Sequence, residues 1–225
     1  MDPLARTAYV EAGARFADVI PKAAPHGLAP LNGSAPHVGV VAYTLGGGLA
    51  LLGRSHGYAA DRVRAMDVVT ADGRLRHVTV ESDPDLYWAL LGGRDNFGIV
   101  IGMEFGLVPV ARLYGGALFF DARQVPGVLD GYRRWTATVP TEMNSSAALI
   151  PVPDDPQVPE PMRGRLAVVN PLSPTTVEDA HAFLDRLFGD LQPWTAGRSS
   201  TSWATAATPT AAASAPPTPP RTTNG

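Results

Sequence analysis

Three consecutive glycines, Gly46, Gly47 and Gly48, constrain the fold of this chain more than any other feature. They interrupt an apolar segment that covers residues 35–61 and opens with the run Val38–Val41. Because glycine has no Cβ, the triplet lets the backbone lie directly against a flat or phosphorylated ligand and offer it N–H groups. The segment therefore predicts a strand, a glycine turn and a helix start that together form a cofactor cradle.

A glycine triplet is also compatible with a plain flexible turn. It is not a Walker loop, because no Gly-Lys-Ser/Thr sequence follows it. It is not the dinucleotide motif GxGxxG either, since both the glycine spacing and the acidic residue that closes the following strand are missing. The triplet alone leaves ligand binding open, so the rest of the chain decides between the two interpretations.

Composition excludes several classes of function. The formal net charge of -3 predicts neither a nucleic-acid partner nor an anionic membrane, and 45% hydrophobic residues suffice for a packed core. No apolar run approaches the roughly 18 residues of a membrane span. The absence of cysteine excludes disulfides, thiolate metal sites and cysteine nucleophiles, and no metal site is predicted. Without a secretory signal pattern, the cytoplasm is the default localisation.

Hydrophobic periodicity and turn signals predict alternating helices and strands. The Asp72-Gly73 pair predicts a hairpin between two strands, and Ser82 or Asp83 is a candidate helix cap. Pro25-His26-Gly27 is a stop signal for the preceding helix. The expected strands are Thr7–Val10, Val63–Thr70, Leu75–Val80, Ile99–Val108, Gly115–Phe120, Ser146–Pro151 and Arg165–Asn170, and the expected helices are Ala14–Ala24, the capped segment after Asp83, Val125–Thr136 and Thr176–Phe188.

The strand that begins at Ile99 carries a period of two. Its larger side chains, Ile99, Ile101, Met103 and Phe105, are expected on one face, and two glycines on the other face indicate that something packs closely there.

Further motifs follow one another in a fixed order: Gly27–Gly33, Pro36–Val40, Gly46–Gly48, Arg54, Gly57, Asp61, Val68–Gly73, Asp85–Leu90, Gly92-Gly93 and Asn96–Val100. Taken together, they resemble the FAD-linked oxidases of the vanillyl-alcohol oxidase and berberine-bridge type. The resemblance is strong over residues 1–110, weaker to residue 150 and absent beyond about residue 170.

The resemblance implies FAD as the cofactor and an α+β fold. Residues 1–110 would be the second α/β subdomain of a PCMH-type FAD-binding domain, and residues 111–188 a fragment of an α+β substrate domain. The Ala/Thr/Pro-rich segment 189–225 has no apolar periodicity and is expected to be disordered. The chain is therefore expected to be incomplete at both ends, and the tail is interpreted as the product of a frame shift or a premature end.

The resemblance also implies which residues hold the cofactor. In the resembling family, the backbone at the start of the strand at Ile99 meets the flavin nucleotide, although Phe97-Gly98 is equally compatible with a bulge before a core strand. Tyr43 lies either near the ring or in the core wall. The expected FAD-binding residues are Val38, Gly39, Gly46, Gly47, Gly48, Gly57, Gly98, Ile99 and Val100.

No catalytic residue is predicted, because the family's catalytic tyrosines and acids come from segments without a counterpart in this sequence. No flavin-linking histidine is assigned either, since none of the histidines follows two glycines.

The expected function is that of an FAD-dependent oxidoreductase, which oxidises a small-molecule alcohol or a related C–H/C–OH substrate by hydride transfer to the flavin. The alternatives are a non-catalytic remnant or interaction fragment with exposed strand edges, and a subunit whose first subdomain is a separate chain. The substrate, the electron acceptor and the oligomeric state stay open.

Overall fold

The computed structural model describes residues 1–115, 118–120, 125–157, 163–173 and 204–206. In these ranges the chain forms an antiparallel sheet in its first half and another in its second half. The mixed helix and sheet architecture confirms the predicted α+β fold class. No helix in the described ranges is long and apolar enough to cross a membrane.

The first sheet has the strand order β1-β4-β2-β3, and all neighbouring strands are antiparallel. Its predicted strands are confirmed, and the predicted hairpin joins β2 to β3 through a turn at Gly73, where φ is +77°. Only glycine adopts this conformation without strain. The strands are β1 Thr7–Glu11, β2 Val63–Val69, β3 Leu75–Thr79 and β4 Ile99–Gly106.

Helices cover one face of this sheet and enclose the main core. The helix α1, Phe16–Ala23, ends before Gly27, whose left-handed backbone (φ 66°) confirms the predicted stop. The helix α4, Pro84–Gly93, is capped by Asp83, whose carboxylate accepts a hydrogen bond from the Leu86 N–H. The core between these helices and the sheet contains the fully buried side chains of Phe16, Val40, Met66, Val68, Val78, Leu90 and Met103.

The strand predicted at Val38–Val41 is wrong. The helix α2, Val40–Leu45, occupies this position and runs directly into the glycine triplet. The short helix α3, Gly53–His56, follows the triplet. Val40, Val41, Thr44 and Leu45 are its buried residues, so one helix face is in the core. A short apolar run is compatible with a buried strand or a buried helix. Here the run packs against the core as a helix.

The predicted faces of β4 are wrong at its start. Ile99 and Ile101 are exposed, whereas Met103 and Phe105 are buried. The ladder pairs Gly102 with Asp67 and Val100 with Val68, so Ile101 is an extra residue at a β-bulge. Such a bulge reverses the alternation of the side chains on its two sides. The close packing expected at the glycines is confirmed, because a Cβ on Gly102 would lie 2.0 Å from the Tyr9 hydroxyl.

The second sheet is built on the long strand β8, Gly164–Ser173, which pairs with β7, Asn144–Val152. The strand expected at Gly115–Phe120 is divided into β5, Leu113–Gly115, and β6, Leu118–Phe120, both paired with β8. The predicted helix over Val125–Thr136 is confirmed as α5.

The segment expected to be disordered requires one correction. Its residues Ala204–Ala206 form the strand β9, which pairs antiparallel with β5. The rest of this segment and the helix expected at Thr176–Phe188 lie outside the described residues.

A chain of three polar side chains crosses the exposed face of the first sheet. The Tyr9 hydroxyl donates a hydrogen bond to Asp67 Oδ2 (2.9 Å), and His77 Nδ1 lies 2.7 Å from Asp67 Oδ1. The contact with His77, assisted by the bond from Tyr9, lowers the pKa of Asp67 from its ordinary value of 3.8. These contacts join β1, β2 and β3 outside the backbone ladder.

Replacing Asp67 with Asn should make the protein less stable only while the native carboxylate is ionised. Since the folded state lowers this pKa, the stabilisation is present above pH 3.8 and is lost as the pH falls through the lowered value. Melting temperatures measured from about pH 5 down to about pH 2.5 should therefore converge for the native chain and Asp67→Asn. Asp85→Asn, which changes an exposed carboxylate, is the control. A constant difference over this range would contradict the assignment.

Candidate functional site

The glycine triplet is fixed between α2 and the turn that leads into β2. The N–H groups of Gly46 and Gly47 donate to the carbonyl groups of the last turn of α2 at 3.2 and 2.9 Å. In the opposite direction, the carbonyl groups of Gly48 and Gly47 accept the N–H groups of Ala59 (2.9 Å) and Ala60 (3.0 Å). The triplet is therefore a defined backbone corner rather than a flexible turn.

Three of the expected site glycines are required by the packing of the chain itself. A Cβ on Gly48 would lie 2.6 Å from Ala59 Cβ, and one on Gly57 would lie 2.5 Å from the Asp61 carboxylate. At Gly98, a Cβ would lie 2.8 Å from both Val68 Cγ1 and the Val69 carbonyl oxygen. Real Cβ atoms do not approach this closely, so these glycines have an internal structural reason to lack a side chain.

The other two members of the triplet behave differently. A Cβ on Gly47 would meet nothing within 4 Å, and its φ of +97° places the backbone in the glycine region. A Cβ on Gly46 would lie 3.0 Å from the end of the Arg94 side chain, which covers this glycine. The corner thus has an open backbone surface at Gly47 beside a guanidinium group. Because the N–H groups of Gly46 and Gly47 are bonded within the chain, these residues offer a close approach and a neighbouring cation rather than the free N–H donors expected from the sequence. A close approach and a cation fit a planar, phosphorylated cofactor such as FAD.

Tyr43 belongs to the wall of the site. Its hydroxyl donates a hydrogen bond of 2.5 Å to the Leu49 carbonyl oxygen, and its ring packs edge-on against Phe16 at a centroid distance of 5.3 Å. Burial raises the pKa of Tyr43 to about 12. The hydroxyl therefore stays protonated at neutral pH and fixes the backbone that follows the triplet, as the core-wall interpretation requires.

The start of β4 has an open side. The ladder between β1 and β4 reaches only to Gly102, so Ile99 and Val100 have a paired strand on the β2 side alone. The Ile99 side chain is 67% exposed, whereas the Val100 side chain is buried in the core. Val100 can therefore contribute only backbone atoms to a ligand.

The structure brings most of the expected site residues together through Arg94. This residue begins the 3₁₀ turn Arg94–Phe97, which leads to Gly98 and Ile99, and its side chain lies on Gly46. Val38 and Gly39 lie at the other end of α2, about 9 Å away for a helix of 6 residues. There the Val38 carbonyl accepts the Phe16 N–H. These two residues are not part of the corner.

A cavity of about 450 Å³ opens beside the corner. Its walls combine the segment after the triplet with the start of β7, and both contribute polar groups. Arg54 joins the two walls, because its guanidinium donates to the Met143 carbonyl oxygen at 2.8 Å. The Asn144 side chain donates in turn to the Leu51 carbonyl oxygen. The lining residues that matter here are Ser34, Leu49, Arg54, Tyr58, Asn144 and Ser145.

Comparison with known proteins identifies the cofactor. A family model described as an FAD binding domain matches residues 1–79. The FAD-dependent monooxygenase prx3 of Penicillium roqueforti is 36% identical over 123 residues, which are 55% of this chain and 24% of the relative. The FAD-linked oxidoreductase YgaK of Bacillus subtilis is 31% identical over 151 residues, 65% of this chain and 34% of the relative. Over these residues the chain is similar to FAD-linked oxidoreductases, and residues 1–79 match the FAD binding domain. The resemblance stated from the sequence and the prediction of FAD are thereby confirmed.

Solved structures of two oxidases share the fold of this chain. The 6-hydroxy-D-nicotine oxidase of Arthrobacter nicotinovorans superposes with a TM-score of 0.75 at 23% identity, over 87% of this chain and 42% of that one. Xylooligosaccharide oxidase of Myceliophthora thermophila, in complex with xylobiose, gives 0.71 at 25% identity, over 86% of this chain and 40% of that one. The chain spans about a quarter to a third of the length of its curated relatives.

Sequence reasoning missed two parts of this site. Arg94 had no signal, because its role depends on a backbone conformation that a sequence does not show. The polar residues at the start of β7 were missed because their contact with Leu51 spans 93 positions of the chain. Among the residues that line the cavity, Gly33, Arg54 and Gly57 gave a signal, as members of the motif series.

Replacing glycines of the triplet with alanine should separate their roles. Gly48→Ala should reduce the free energy of unfolding by about 2–4 kcal/mol, because it combines a positive φ with a clash against Ala59. Gly46→Ala should cost less than about 1 kcal/mol, since its φ of -84° is ordinary and only a flexible side-chain end must move. Denaturant unfolding of both variants measures the difference. Equal losses would show that the corner is not packed as described.

Replacing Arg54 with Met should loosen the contact between the two cavity walls. The variant loses the hydrogen bonds to the carbonyl groups of Met143 (2.8 Å) and Val139 (3.5 Å). Amide hydrogen exchange in residues 139–146 should become faster, while exchange in the first sheet stays unchanged. Arg112→Met, at an exposed position, is the matched control. Unchanged amide exchange in residues 139–146 would show that Arg54 does not connect the two walls of the cavity.

Proposed function

We propose that this chain holds FAD at the corner formed by the glycine triplet and supports the oxidation of a small-molecule alcohol or a related C–H/C–OH substrate in the adjacent cavity. The observation that carries this proposal is the open backbone at Gly47 beside the Arg94 guanidinium, with the polar cavity next to it. When bound, FAD supplies the two-electron acceptor for a hydride from the substrate.

Each part of the chain has a distinct task in this proposal. The backbone at Gly47 offers a close approach, and Ile99 offers an exposed apolar side chain at the unpaired edge of β4. Leu49, which is 75% exposed, lies in the cavity wall and would exclude water from the side that faces the cofactor.

The cavity carries the groups that would orient a polar substrate. Ser34 and Ser145 line it, and the Ser145 hydroxyl is held 3.1 Å from the Tyr132 hydroxyl. Hydroxyl groups both donate and accept hydrogen bonds, so they suit substrates that carry hydroxyl groups themselves. Tyr43 takes no part in proton transfer in this proposal, because its hydroxyl is committed to Leu49 and its pKa is about 12.

Binding of FAD to the purified chain is the direct test. After mixing with FAD and removing the free cofactor by gel filtration, the protein fraction should keep the visible flavin band. Leu49→Glu should reduce the retained flavin, because it places a negative charge beside the open corner. Leu75→Glu changes a similarly exposed leucine (64%) on β3 and should leave retention unchanged. Loss of the band in the unaltered chain, or an equal effect of the two variants, would refute the proposed site.

The reaction is tested on the same sample. Substrates that carry hydroxyl groups are added under anaerobic conditions, beginning with xylobiose, which is bound to one of the structural neighbours. Bleaching of the flavin band by such a compound would support the proposed oxidation. A flavin-loaded protein that no hydroxyl compound bleaches would limit the function to cofactor binding.

One observation favours a second candidate, a non-catalytic interaction fragment. The outer face of the first sheet exposes large apolar side chains, with Tyr9 at 54%, Ile101 at 41% and Ile99 at 67%. Such a surface is typical of an interface. If this candidate is correct, sedimentation should show concentration-dependent association that Ile101→Lys abolishes. A monodisperse monomer would speak against it.

A further inference from the structure

Arg94 has a backbone conformation that L residues rarely adopt. Arg94 directly follows Gly92 and Gly93 at the end of α4, and its φ is 59° and its ψ is -136°. In the described residues, Arg6 is the other non-glycine residue with a positive φ. Strained residues of this kind persist where the surrounding structure forces them, and they concentrate at ligand sites.

The surroundings of Arg94 do force this conformation. The Asn96 side chain donates a hydrogen bond of 2.7 Å to the Gly93 carbonyl oxygen, which closes the loop. The Phe97 ring covers Gly93 so closely that a Cβ there would lie 2.7 Å from it. The loop is therefore locked on both sides of Arg94, and the direction in which its side chain leaves the backbone is fixed.

The Arg94 side chain ends on the glycine corner without a partner. Its guanidinium atoms Nη2, Nε and Cζ lie 3.0, 3.2 and 3.3 Å from the position that a Cβ on Gly46 would occupy. In the described part of the chain, the guanidinium makes no hydrogen bond and no ion pair, not even with the neighbouring Asp95. A structural role would require such a contact, and glycine would hold this backbone with less strain.

We propose that Arg94 binds the pyrophosphate of FAD, with its planar guanidinium donating to the phosphoryl oxygens above Gly46 and Gly47. The inference rests on the proposed FAD site and specifies how that site recognises the anionic part of the cofactor. Guanidinium and phosphate groups match as bidentate, charge-assisted pairs, and the locked loop already directs this side chain towards the glycine corner. The missing Cβ at Gly46 admits the guanidinium, and the missing Cβ at Gly47 leaves room for the anion beside it.

The test measures stability and FAD affinity in the same variants. Arg94→Gly should keep or raise the melting temperature, because glycine relieves the strained backbone. The same variant should weaken FAD binding by about tenfold or more, measured by the quenching of flavin fluorescence. Arg94→Lys keeps the charge but not the bidentate geometry, so its affinity should be intermediate. The affinity of Arg94→Gly should also depend less on salt concentration than that of the native chain.

Arg6→Gly is the matched control. Arg6 is also an exposed arginine with a positive φ (53°), and its replacement removes the same charge. It precedes Thr7, which pairs with Gly106 at the far end of β4, about 23 Å from Ile99. This variant should match the gain in stability and leave FAD affinity unchanged.

The outcomes separate the two proposals. If the native chain binds FAD and Arg94→Gly binds it equally well, the assignment of Arg94 is wrong while the proposed function stands. If Arg94→Gly lowers the melting temperature strongly, Arg94 has a structural role and the assignment is also wrong. If the native chain does not bind FAD at all, both proposals fail.

Discussion

Two backbone hydrogen bonds connect the glycine corner to the first sheet, those from Ala59 and Ala60 to the carbonyl groups of Gly48 and Gly47. They fix α2, which packs in the core, to the turn that starts β2. β2 in turn pairs with both β3 and β4, so the position of β2 sets where these two neighbouring strands lie. The contact requires Gly48, because any side chain there would collide with Ala59.

This constraint changes the meaning of the glycine-rich sequence. A triplet was expected to be open to a ligand along its whole length, yet Gly48 is filled by the chain itself and Gly46 is covered by Arg94. Gly47 is the position where the missing side chain leaves free space. Packing thus concentrates the expected ligand surface on one residue and places a positive charge beside it. The other two glycines support this surface indirectly. Gly48 fixes the corner, and Gly46 leaves space for the guanidinium of Arg94.

The parts of the fold that depend on local chemistry were predictable. The Asp72-Gly73 turn, the cap at Asp83 and the stop at Gly27 appear where the sequence places them. The wrong predictions concern segments whose conformation depends on residues far away in the sequence. α2 is a helix because of its tertiary packing, and the faces of β4 reverse because Ile101 has no opposite residue in β2. Polar cavity residues such as Asn144 come close to the glycine segment only after the second sheet has formed.

The cavity owes its position to two kinds of contact that act together. A small apolar cluster, which includes Leu52 and Leu113, joins the glycine segment to the beginning of the second sheet. Hydrogen bonds from Arg54 to the segment before β7 then set the direction of the polar wall. Apolar packing is not directional, whereas a guanidinium that donates to fixed carbonyl groups is. The cluster therefore brings the two walls together, and Arg54 decides which polar groups of β7 face the corner where the cofactor is expected.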